Sequence, residues 1–201
     1  MNIAVFASGR GTNFSAIIRA VKKGKFKANL SLLVCDNPQA AAIGRARRAG
    51  IKVALVKRED FTVKEDFEAK IISQLEENKI DLIILAGFMR LLGPALVSRY
   101  KGRILNIHPA LLPAFKGTEA IKDAFAYGVK ITGVSVHFVD EAMDHGPIIL
   151  QEVVKIEEDD TLESLEKKIH KLEHRMYSQA VKLFVEGRLQ IEGRRVRIST
   201  A

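Results

Sequence analysis

The first half of the chain alternates between short apolar runs and segments with a helical spacing of apolar residues. The apolar runs have the length of buried strands and occupy residues 2–7, 30–35, 52–56 and 81–86. Helical patterns cover residues 14–23, 39–49, 62–78 and 94–100. Thr62 and Glu65 have the spacing of a capping box at the start of the third helix. Strands that alternate with helices predict a parallel sheet.

The second half begins with another buried strand at residues 104–108, followed by a helix at 117–127. Residues 131–139 alternate between apolar and polar positions, which predicts a strand with one exposed face. Only a loop separates this strand from the next, at residues 148–156, so the two are expected to pair in an antiparallel manner. A long amphipathic helix at 161–185 and a hairpin at 187–198 complete the pattern.

These elements predict an α/β fold with a single doubly wound, mostly parallel sheet of Rossmann-like kind and an antiparallel carboxyl-terminal edge. A chain of 201 residues with 47% hydrophobic content suits one domain with a buried core, covering residues 1–201. The single cysteine, Cys35, excludes an internal disulfide and a multi-cysteine metal site. We therefore expect a soluble, cytoplasmic protein, since no apolar run approaches the length that spans a membrane.

The net charge of +8, from 32 basic and 24 acidic residues, would suit a polyanionic partner. The basic residues are scattered, however, and the chain has only three Tyr and no Trp to stack on bases. Small substrates that carry phosphate or carboxylate groups explain a positive field equally well. We expect such small-molecule substrates, with no nucleic acid and no membrane as partners, in a monomer or a homodimer.

The strand at residues 104–108 carries the strongest candidate chemistry. Asn106 and His108 are two residues apart, so their side chains leave the strand on the same face. Pro109 ends the strand, which places both side chains where open α/β sheets bind their ligands. An amide and a protonated imidazole can both donate to an oxygen that becomes negative, as acyl transfer requires. The alternative is that His108 is a structural residue at a strand end.

A second polar segment contains Asp140 and Asp144 and lies in a loop between two apolar runs. Asp144 stands 36 residues after His108 in the sequence. If this loop folds over the end of the same strand, its carboxylate would favour the protonated form of His108. The two segments together predict that His108 acts as an acid and that Asp144 holds it in its protonated, charged form.

Residues 8–13 form a glycine-rich turn between the first strand and the first helix. The turn departs from a dinucleotide-binding fingerprint, because Phe14 occupies the position of the third glycine. A shorter anion fits better, since the backbone N–H groups of Gly11, Thr12 and Asn13 would face a phosphate at the helix start. The alternative is an ordinary tight turn in which Thr12 or Asn13 caps the helix.

These segments resemble the signature of the folate-dependent formyltransferases in the residues Asn106, His108, Leu111, Leu112, Pro113 and Asp144. The similarity extends over residues 2–189, and one departure is Ala110, where that family commonly carries Ser. The resemblance implies transfer of a formyl group from 10-formyltetrahydrofolate, as co-substrate, to the amine of N1-(5-phosphoribosyl)glycinamide in purine biosynthesis. This chemistry needs no metal.

The resemblance also implies roles for particular residues. The catalytic residues would be Asn106, His108 and Asp144. The substrate phosphate would lie on Gly11, Thr12 and Asn13, and Glu173 would hold the amine side of the substrate. The residues implied in folate binding are Lys64, Met89, Arg90, Leu91, Leu92, Asn106 and Asp140. Lys64 stands where the family usually carries Arg, which binds a carboxylate in a bidentate manner that Lys cannot reproduce.

Other members of the family share the same three catalytic residues. Formyltetrahydrofolate hydrolase normally carries an additional amino-terminal domain and methionyl-tRNA formyltransferase an additional carboxyl-terminal one, and 201 residues leave room for neither. The glycine-rich turn alone would suit a non-enzymatic nucleotide-binding module. A protein that only binds has no need of a positioned acid, which favours the enzyme. His137, as a residue of the exposed face or one that supports the catalytic residues, stays outside the predicted catalytic set.

Overall fold

The computed structural model describes residues 1–200, which divide into two compact units with their boundary between Leu105 and Asn106. The sequence predicted a single domain over residues 1–201, and this stays a prediction. The first unit alternates strands and helices as predicted. Its elements are β1 (Asn2–Phe6), α1 (Thr12–Lys22), β2 (Asn29–Cys35), α2 (Ala41–Arg48), β3 (Lys52–Leu55), a 3-10 turn (Arg58–Asp60), α3 (Lys64–Glu77), β4 (Leu82–Leu85) and α4 (Pro94–Arg99).

The fifth strand, β5 (Ile104–His108), crosses the boundary, so that Asn106 and His108 belong to the second unit. The remaining elements of this unit are α5 (Ala120–Tyr127), β6 (Ile131–Phe138), β7 (Ile148–Lys155), α6 (Leu162–Val185), β8 (Leu189–Glu192) and β9 (Arg195–Ile198). Counting β5, the unit has five strands and two helices, and α6 is its longest element.

The strands of residues 1–200 follow the order β3-β2-β1-β4-β5-β6-β7-β9-β8. Pairing is parallel between β1 and β2, between β1 and β4, and between β2 and β3. It is antiparallel between β6 and β7 and between β8 and β9. The predicted α/β class is therefore confirmed, with one mostly parallel sheet and antiparallel strands at its carboxyl-terminal edge.

The strands β1 and β4 of the first unit are buried because almost every position in them is apolar. All four residues of β4 are buried, and so are the last four of β1. The helix α1 contributes Phe14 and Ile17 to the same core. This helix begins at Thr12, two residues earlier than predicted, because Gly11 takes a left-handed conformation with φ of 66° and forms its N-cap.

The start of α3 corrects one prediction from the sequence. The helix begins at Lys64, its N-cap residue is Val63, and no side chain caps it. The expected capping box of Thr62 and Glu65 is therefore wrong. The prediction fails because the helix begins one residue later than a Thr62 cap requires. Such a cap needs Val63 to be the first helical residue, but Val63 is extended, with ψ of 158°.

A second correction concerns β6, which is buried on both faces. Of its eight residues only Ile131 is exposed. The strand pairs with β7 along its length, and α6 packs against it. The polar side chains of Ser135 and His137 are therefore enclosed, although their alternation with apolar residues predicted an exposed face.

The longest helix, α6, begins at a reciprocal capping box. Ser164 N–H donates to the Thr161 hydroxyl at 3.2 Å, and Thr161 N–H donates to the Ser164 hydroxyl at 2.9 Å. The predicted start of this helix is confirmed. Throughout residues 1–200, α6 included, the helices lack the combination of length and apolar character that crossing a bilayer requires.

The carboxyl-terminal hairpin has the turn expected from the sequence. Its strands pair from Leu189 with Ile198 to Glu192 with Arg195, and Gly193 in the turn has a φ of 58°. Arg195 also pairs with Ile148 of β7 in a parallel manner. The hairpin is therefore attached beside the first residue of β7, next to the loop that precedes that strand.

Candidate active site

Three predicted residues converge at the end of β5. The Asp144 carboxylate lies close to both strand residues: its Oδ2 is 3.4 Å from His108 Nδ1, and its Oδ1 is 3.4 Å from Asn106 Nδ2. Asn106 and His108 leave β5 on the same face, as their spacing predicted. The structure therefore brings together the amide, the imidazole and the carboxylate, and all three belong to the second unit.

The His108 side chain is 4% exposed, and its ring has an oxygen atom near each nitrogen. Its Nε2–H donates to the carbonyl oxygen of Phe115 at 2.7 Å, while Nδ1 faces the Asp144 carboxylate. Imidazole can donate from both nitrogens only in its charged form. The His108 ring therefore lies between two oxygen atoms, and the role expected for the carboxylate beside it stays a prediction.

His137 belongs to this cluster, although the sequence analysis left it out. Its ring is 2% exposed, and its Nδ1–H donates to the carbonyl oxygen of Phe138 at 2.7 Å. The Nε2 lone pair therefore accepts from the Asn106 amide at 3.1 Å. Burial lowers the pKa of His137, against smaller opposing effects of its backbone hydrogen bond and of Asp144, so the ring is neutral and fixes the Asn106 amide.

Asp144 is held in an unusual backbone conformation. Its φ is 48°, in the left-handed region that is uncommon for any residue other than glycine, although Asp and Asn adopt it more often than most. Besides His108 and Asn106, its carboxylate accepts from Gly117 N–H at 3.0 Å. Backbone groups such as the Gly117 N–H and the Phe115 carbonyl carry no side-chain signal, so the sequence could not indicate them.

Two further residues hold the loop that follows β5. The Ser135 hydroxyl donates to the Ala110 carbonyl at 2.7 Å and accepts from Leu112 N–H at 3.0 Å. The Gln151 side chain donates to the Leu112 carbonyl at 2.8 Å and to Ser135 Oγ at 2.9 Å. Ala110 is fully buried here, so its small side chain is part of a closed arrangement. No pattern in the sequence indicates a role for Ser135 or Gln151.

The predicted phosphate-binding turn lies in the first unit, at the start of α1. Gly11 is the N-cap, and no side chain caps the helix, so the alternative in which Thr12 or Asn13 caps it is wrong. A Cβ atom on Gly11 would lie 3.0 Å from the Cβ of Ala42, which is closer than nearly all real Cβ contacts. Arg45 holds the turn by donating to the Arg10 carbonyl at 2.7 Å. A helix start of this kind favours an anion.

The segment predicted to bind folate, residues 89–92, also belongs to the first unit. Met89 and Leu91 are 67% and 62% exposed, which is unusual for large apolar side chains and typical of a binding surface. Arg90 forms an ion pair with Asp36 and lies 5.9 Å from the centre of the Phe67 ring. Met89, Arg90 and Asp36 line a cavity of about 620 Å³.

Lys64, the remaining folate-contacting prediction in this unit, has a partner within its own helix. Its Nζ lies 3.6 Å from Oε1 of Glu68, one turn further along α3. Glu68 is buried and also accepts from Gly93 N–H, directly after the predicted folate segment. The contact of Lys64 with folate stays a prediction, and Glu68 is a residue that the sequence analysis did not single out.

Glu173 and Asp140 complete the predicted set within the second unit. Glu173 is buried on α6 and accepts from His170 Nδ1 at 2.8 Å. Asp140 is partly exposed, and it accepts from Ala142 N–H at 3.1 Å and from His145 Nδ1 at 2.7 Å. Within residues 1–200, His, Cys, Asp and Glu side chains form no group of three or more suited to a metal ion.

The fold and this cluster of Asn106, His108 and Asp144 agree with a comparison of the whole chain with known families. Residues 1–181 match the family described as "Formyl transferase". The chain therefore belongs to the formyl transferase family, and the resemblance stated from the sequence is confirmed.

Individual relatives make the comparison more specific. Phosphoribosylglycinamide formyltransferase of Bacillus subtilis is 50% identical over 179 residues, which are 89% of this chain and 92% of the relative. Glycinamide ribonucleotide transformylase 1 from Symbiobacterium toebii has a TM-score of 0.97 at 43% identity, over 100% of this chain and 94% of its own. A formyltetrahydrofolate deformylase from Pseudomonas syringae shares the fold, with a TM-score of 0.92 at 22% identity over 99% of this chain and 66% of its own.

Proposed function

We propose that this protein transfers the formyl group of 10-formyltetrahydrofolate to the amine of N1-(5-phosphoribosyl)glycinamide, in the cytoplasmic synthesis of purines. The observation that carries the proposal is the convergence of Asn106, His108 and Asp144 at the end of β5. Two relatives, at 50% and 43% identity, are named for this activity.

In this proposal, Asn106 and His108 stabilise the negative charge that develops on the formyl oxygen. The Asn106 amide has two hydrogens, of which His137 takes one at 3.1 Å. The second points to the side of the site where Asp144 lies, at a longer distance of 3.4 Å, and would donate to a substrate oxygen on that side. His108 would donate from Nε2, with the formyl oxygen taking the place of the Phe115 carbonyl. Aimed donors of this kind lower the barrier of acyl transfer.

Asp144 would serve the proton transfers of the same reaction. The attacking amine loses a proton when it bonds to the formyl carbon, and the departing folate nitrogen gains one. A carboxylate 3.4 Å from His108 Nδ1 favours the imidazolium, and it can also accept the amine proton through a water molecule. The side chain is only 10% exposed, so its charge is weakly screened by solvent.

The remaining predicted residues would bind the two substrates. The turn at Gly11, Thr12 and Asn13 would hold the phosphate, since the α1 dipole and its first N–H groups favour an anion. The exposed Met89 and Leu91 side chains would pack on the flat folate, joined by Arg90, Leu92, Asp140 and Lys64. Glu173 would contact the amine side of the acceptor.

Hydrolysis of 10-formyltetrahydrofolate is the second candidate, because the deformylase shares the fold and water could replace the amine as acceptor. At 22% identity this likeness concerns the fold alone. A non-enzymatic nucleotide-binding module would need the turn at Gly11 without the acid at His108.

A competition assay separates these functions. The protein is given 10-formyltetrahydrofolate with phosphoribosylglycinamide, water and methionyl-tRNA as acceptors, and each product is quantified. We expect the formyl group on the phosphoribosylglycinamide amine almost exclusively. Release of formate as the main product would show a hydrolase, and formation of no product at all would favour a binding module.

A further inference from the structure

Three polar side chains form a cluster on the exposed side of the loop that carries Asp144. They are Asp140, His145 and Arg194, with side chains that are 35%, 48% and 61% exposed. His145 Nδ1–H donates to Asp140 Oδ2 at 2.7 Å. Arg194 Nη1 lies 3.2 and 3.4 Å from the two ring nitrogens of His145 and 4.0 Å from Asp140 Oδ2. Arg194 comes from the turn of the β8–β9 hairpin, 49 residues away in sequence.

The cluster ties together the two ends of one short loop, residues 139–147. Asp140 stands near its start and His145 near its end, so their hydrogen bond spans the loop. At the base, Phe138 N–H donates to the Pro147 carbonyl at 2.9 Å. A Cβ atom on Gly146 would lie 1.8 Å from the Phe138 carbonyl oxygen, so the loop closes as tightly as the backbone allows.

Asp144 is adjacent to His145 in this closed loop, with φ of 48°. A left-handed backbone is uncommon in a residue with a Cβ atom, and it persists where surrounding contacts hold it. On one side the Asp144 carboxylate contacts His108 and Gly117 N–H. On the other side, one residue along, His145 contacts Asp140 and Arg194. The loop is therefore held from two sides, and only one of them is the reacting side.

We propose that Arg194, acting through His145 and Asp140, is a positioning residue that holds the Asp144 carboxylate against His108. The guanidinium carries a permanent charge and attracts the Asp140 carboxylate. Because His145 Nδ1–H donates to Asp140, the ring atom that can accept from the guanidinium is Nε2, at 3.4 Å. The guanidinium thereby favours the closed form of the loop in which Asp144 faces inward. The inference rests on the proposed function for its effect on rate, and on geometry alone for its effect on the loop.

Arg194 lies in a part of the chain beyond the residues that match the family. The family match ends at residue 181, whereas the hairpin occupies residues 189–198. The hairpin is attached to the sheet through Arg195 and Ile148, the strand position that directly follows the loop. A segment outside the matched region thus supports a loop that carries a proposed catalytic residue.

The test compares Arg194→Gln with Arg197→Gln in the full-length protein. Arg197 lies in the same hairpin and pairs with Glu192 at 2.7 Å, so its loss removes an equivalent charge without touching the loop. For Arg194→Gln we expect a fall in kcat of about threefold, the scale of an exposed ion pair, with an unchanged KM for phosphoribosylglycinamide. Hydrogen exchange of the Gly117 amide, followed by NMR, should become faster by a similar factor.

Further variants show whether Arg194 acts through His145. Arg194→Lys keeps the charge and should recover part of both losses. His145→Gln should reproduce the effects of Arg194→Gln, and the double variant should be no worse than either single one, because the residues act in series. Arg197→Gln should match the wild type in kcat and in Gly117 exchange.

Equal behaviour of Arg194→Gln and Arg197→Gln in either kcat or Gly117 exchange would overturn the inference. If the wild type transfers no formyl group to any acceptor, the proposed function fails. The exchange rate of the Gly117 amide still decides whether Arg194 holds Asp144 in that case, since it requires no substrate.

Discussion

The two regions proposed to act on the substrate are built from different parts of the chain. In the second unit, Asn106 and Asp144 are 38 residues apart in sequence, and their side chains converge with His108. In the first unit, the turn at residues 11–13 is continuous and offers backbone N–H groups at a helix start. One region thus depends on which side chains are present, and the other on a backbone conformation that Gly11 permits.

This difference separates chemistry from binding. An isosteric change of a side chain should remove the function of the Asp144 region and leave the backbone turn intact. A change that only alters backbone freedom should do the reverse. Substitutions in the two regions should therefore move different kinetic constants, kcat in one and KM in the other.

The largest effect is expected for Asp144→Asn. The substitution keeps the size of the side chain but removes the charge beside His108 and the acceptor for a proton. We expect kcat to fall by at least about 100-fold, the range of assisted proton transfer, with an unchanged circular dichroism spectrum and unchanged folate binding. Turnover close to that of the wild type would mean that Asp144 is only a loop residue.

A smaller effect on a different constant is expected for Gly11→Ala. The left-handed φ of 66° strains any L residue, and the new Cβ would lie 3.0 Å from that of Ala42. A displaced turn should raise the KM for phosphoribosylglycinamide by about tenfold, for a strain of roughly 1–2 kcal/mol, and leave kcat nearly unchanged. Calorimetry should show weaker acceptor binding and normal folate binding. Equal losses for the two ligands would contradict the assignment of the turn to the phosphate.

A modest effect is expected in the pH dependence of stability, through His137. Burial holds its pKa in the folded state below the usual value of 6.5. Between the folded pKa and 6.5 the unfolded chain binds more protons, so the stability due to neutral His137 is complete above pH 6.5 and decreases as the pH falls through this window. Melting temperatures between about pH 7 and about pH 5 should therefore fall less in His137→Gln than in the wild type. Parallel curves would argue against a neutral, buried His137.

No effect is expected from metal removal. The proposed chemistry uses donors and a carboxylate from the chain, and needs no metal ion in either region. Incubation with a strong chelator followed by gel filtration should leave kcat unchanged, with a known zinc enzyme as the positive control. Activity that disappears on chelation and returns with added zinc would show that the enzyme does need a metal ion.

The sequence was sufficient for features that depend on local pattern. Alternation along residues 104–108 placed Asn106 and His108 on one face, and the carboxylate loop supplied Asp144. The order of strands and helices predicted the parallel sheet and the antiparallel edge. These predictions succeeded because burial and side-chain direction follow directly from the spacing of apolar residues.

The features that the sequence did not reveal depend on tertiary contacts. The alternation in β6 predicted an exposed face, but the packing of α6 and the pairing with β7 enclose His137. The Phe115 carbonyl and the Gly117 N–H act through the backbone, which any residue supplies. Arg194 reaches His145 across 49 residues of sequence, and no local pattern links the two.

The most direct test of the account measures the chemical step alone in both regions. Single-turnover transfer of a radiolabelled formyl group to phosphoribosylglycinamide is followed at saturating substrate in the wild type, Asp144→Asn and Gly11→Ala. The account predicts a rate at least about 100-fold lower for Asp144→Asn and within about twofold of the wild type for Gly11→Ala, since saturation overcomes weaker binding. A slow chemical step in Gly11→Ala, or a normal one in Asp144→Asn, would contradict the division of chemistry and binding between the two regions.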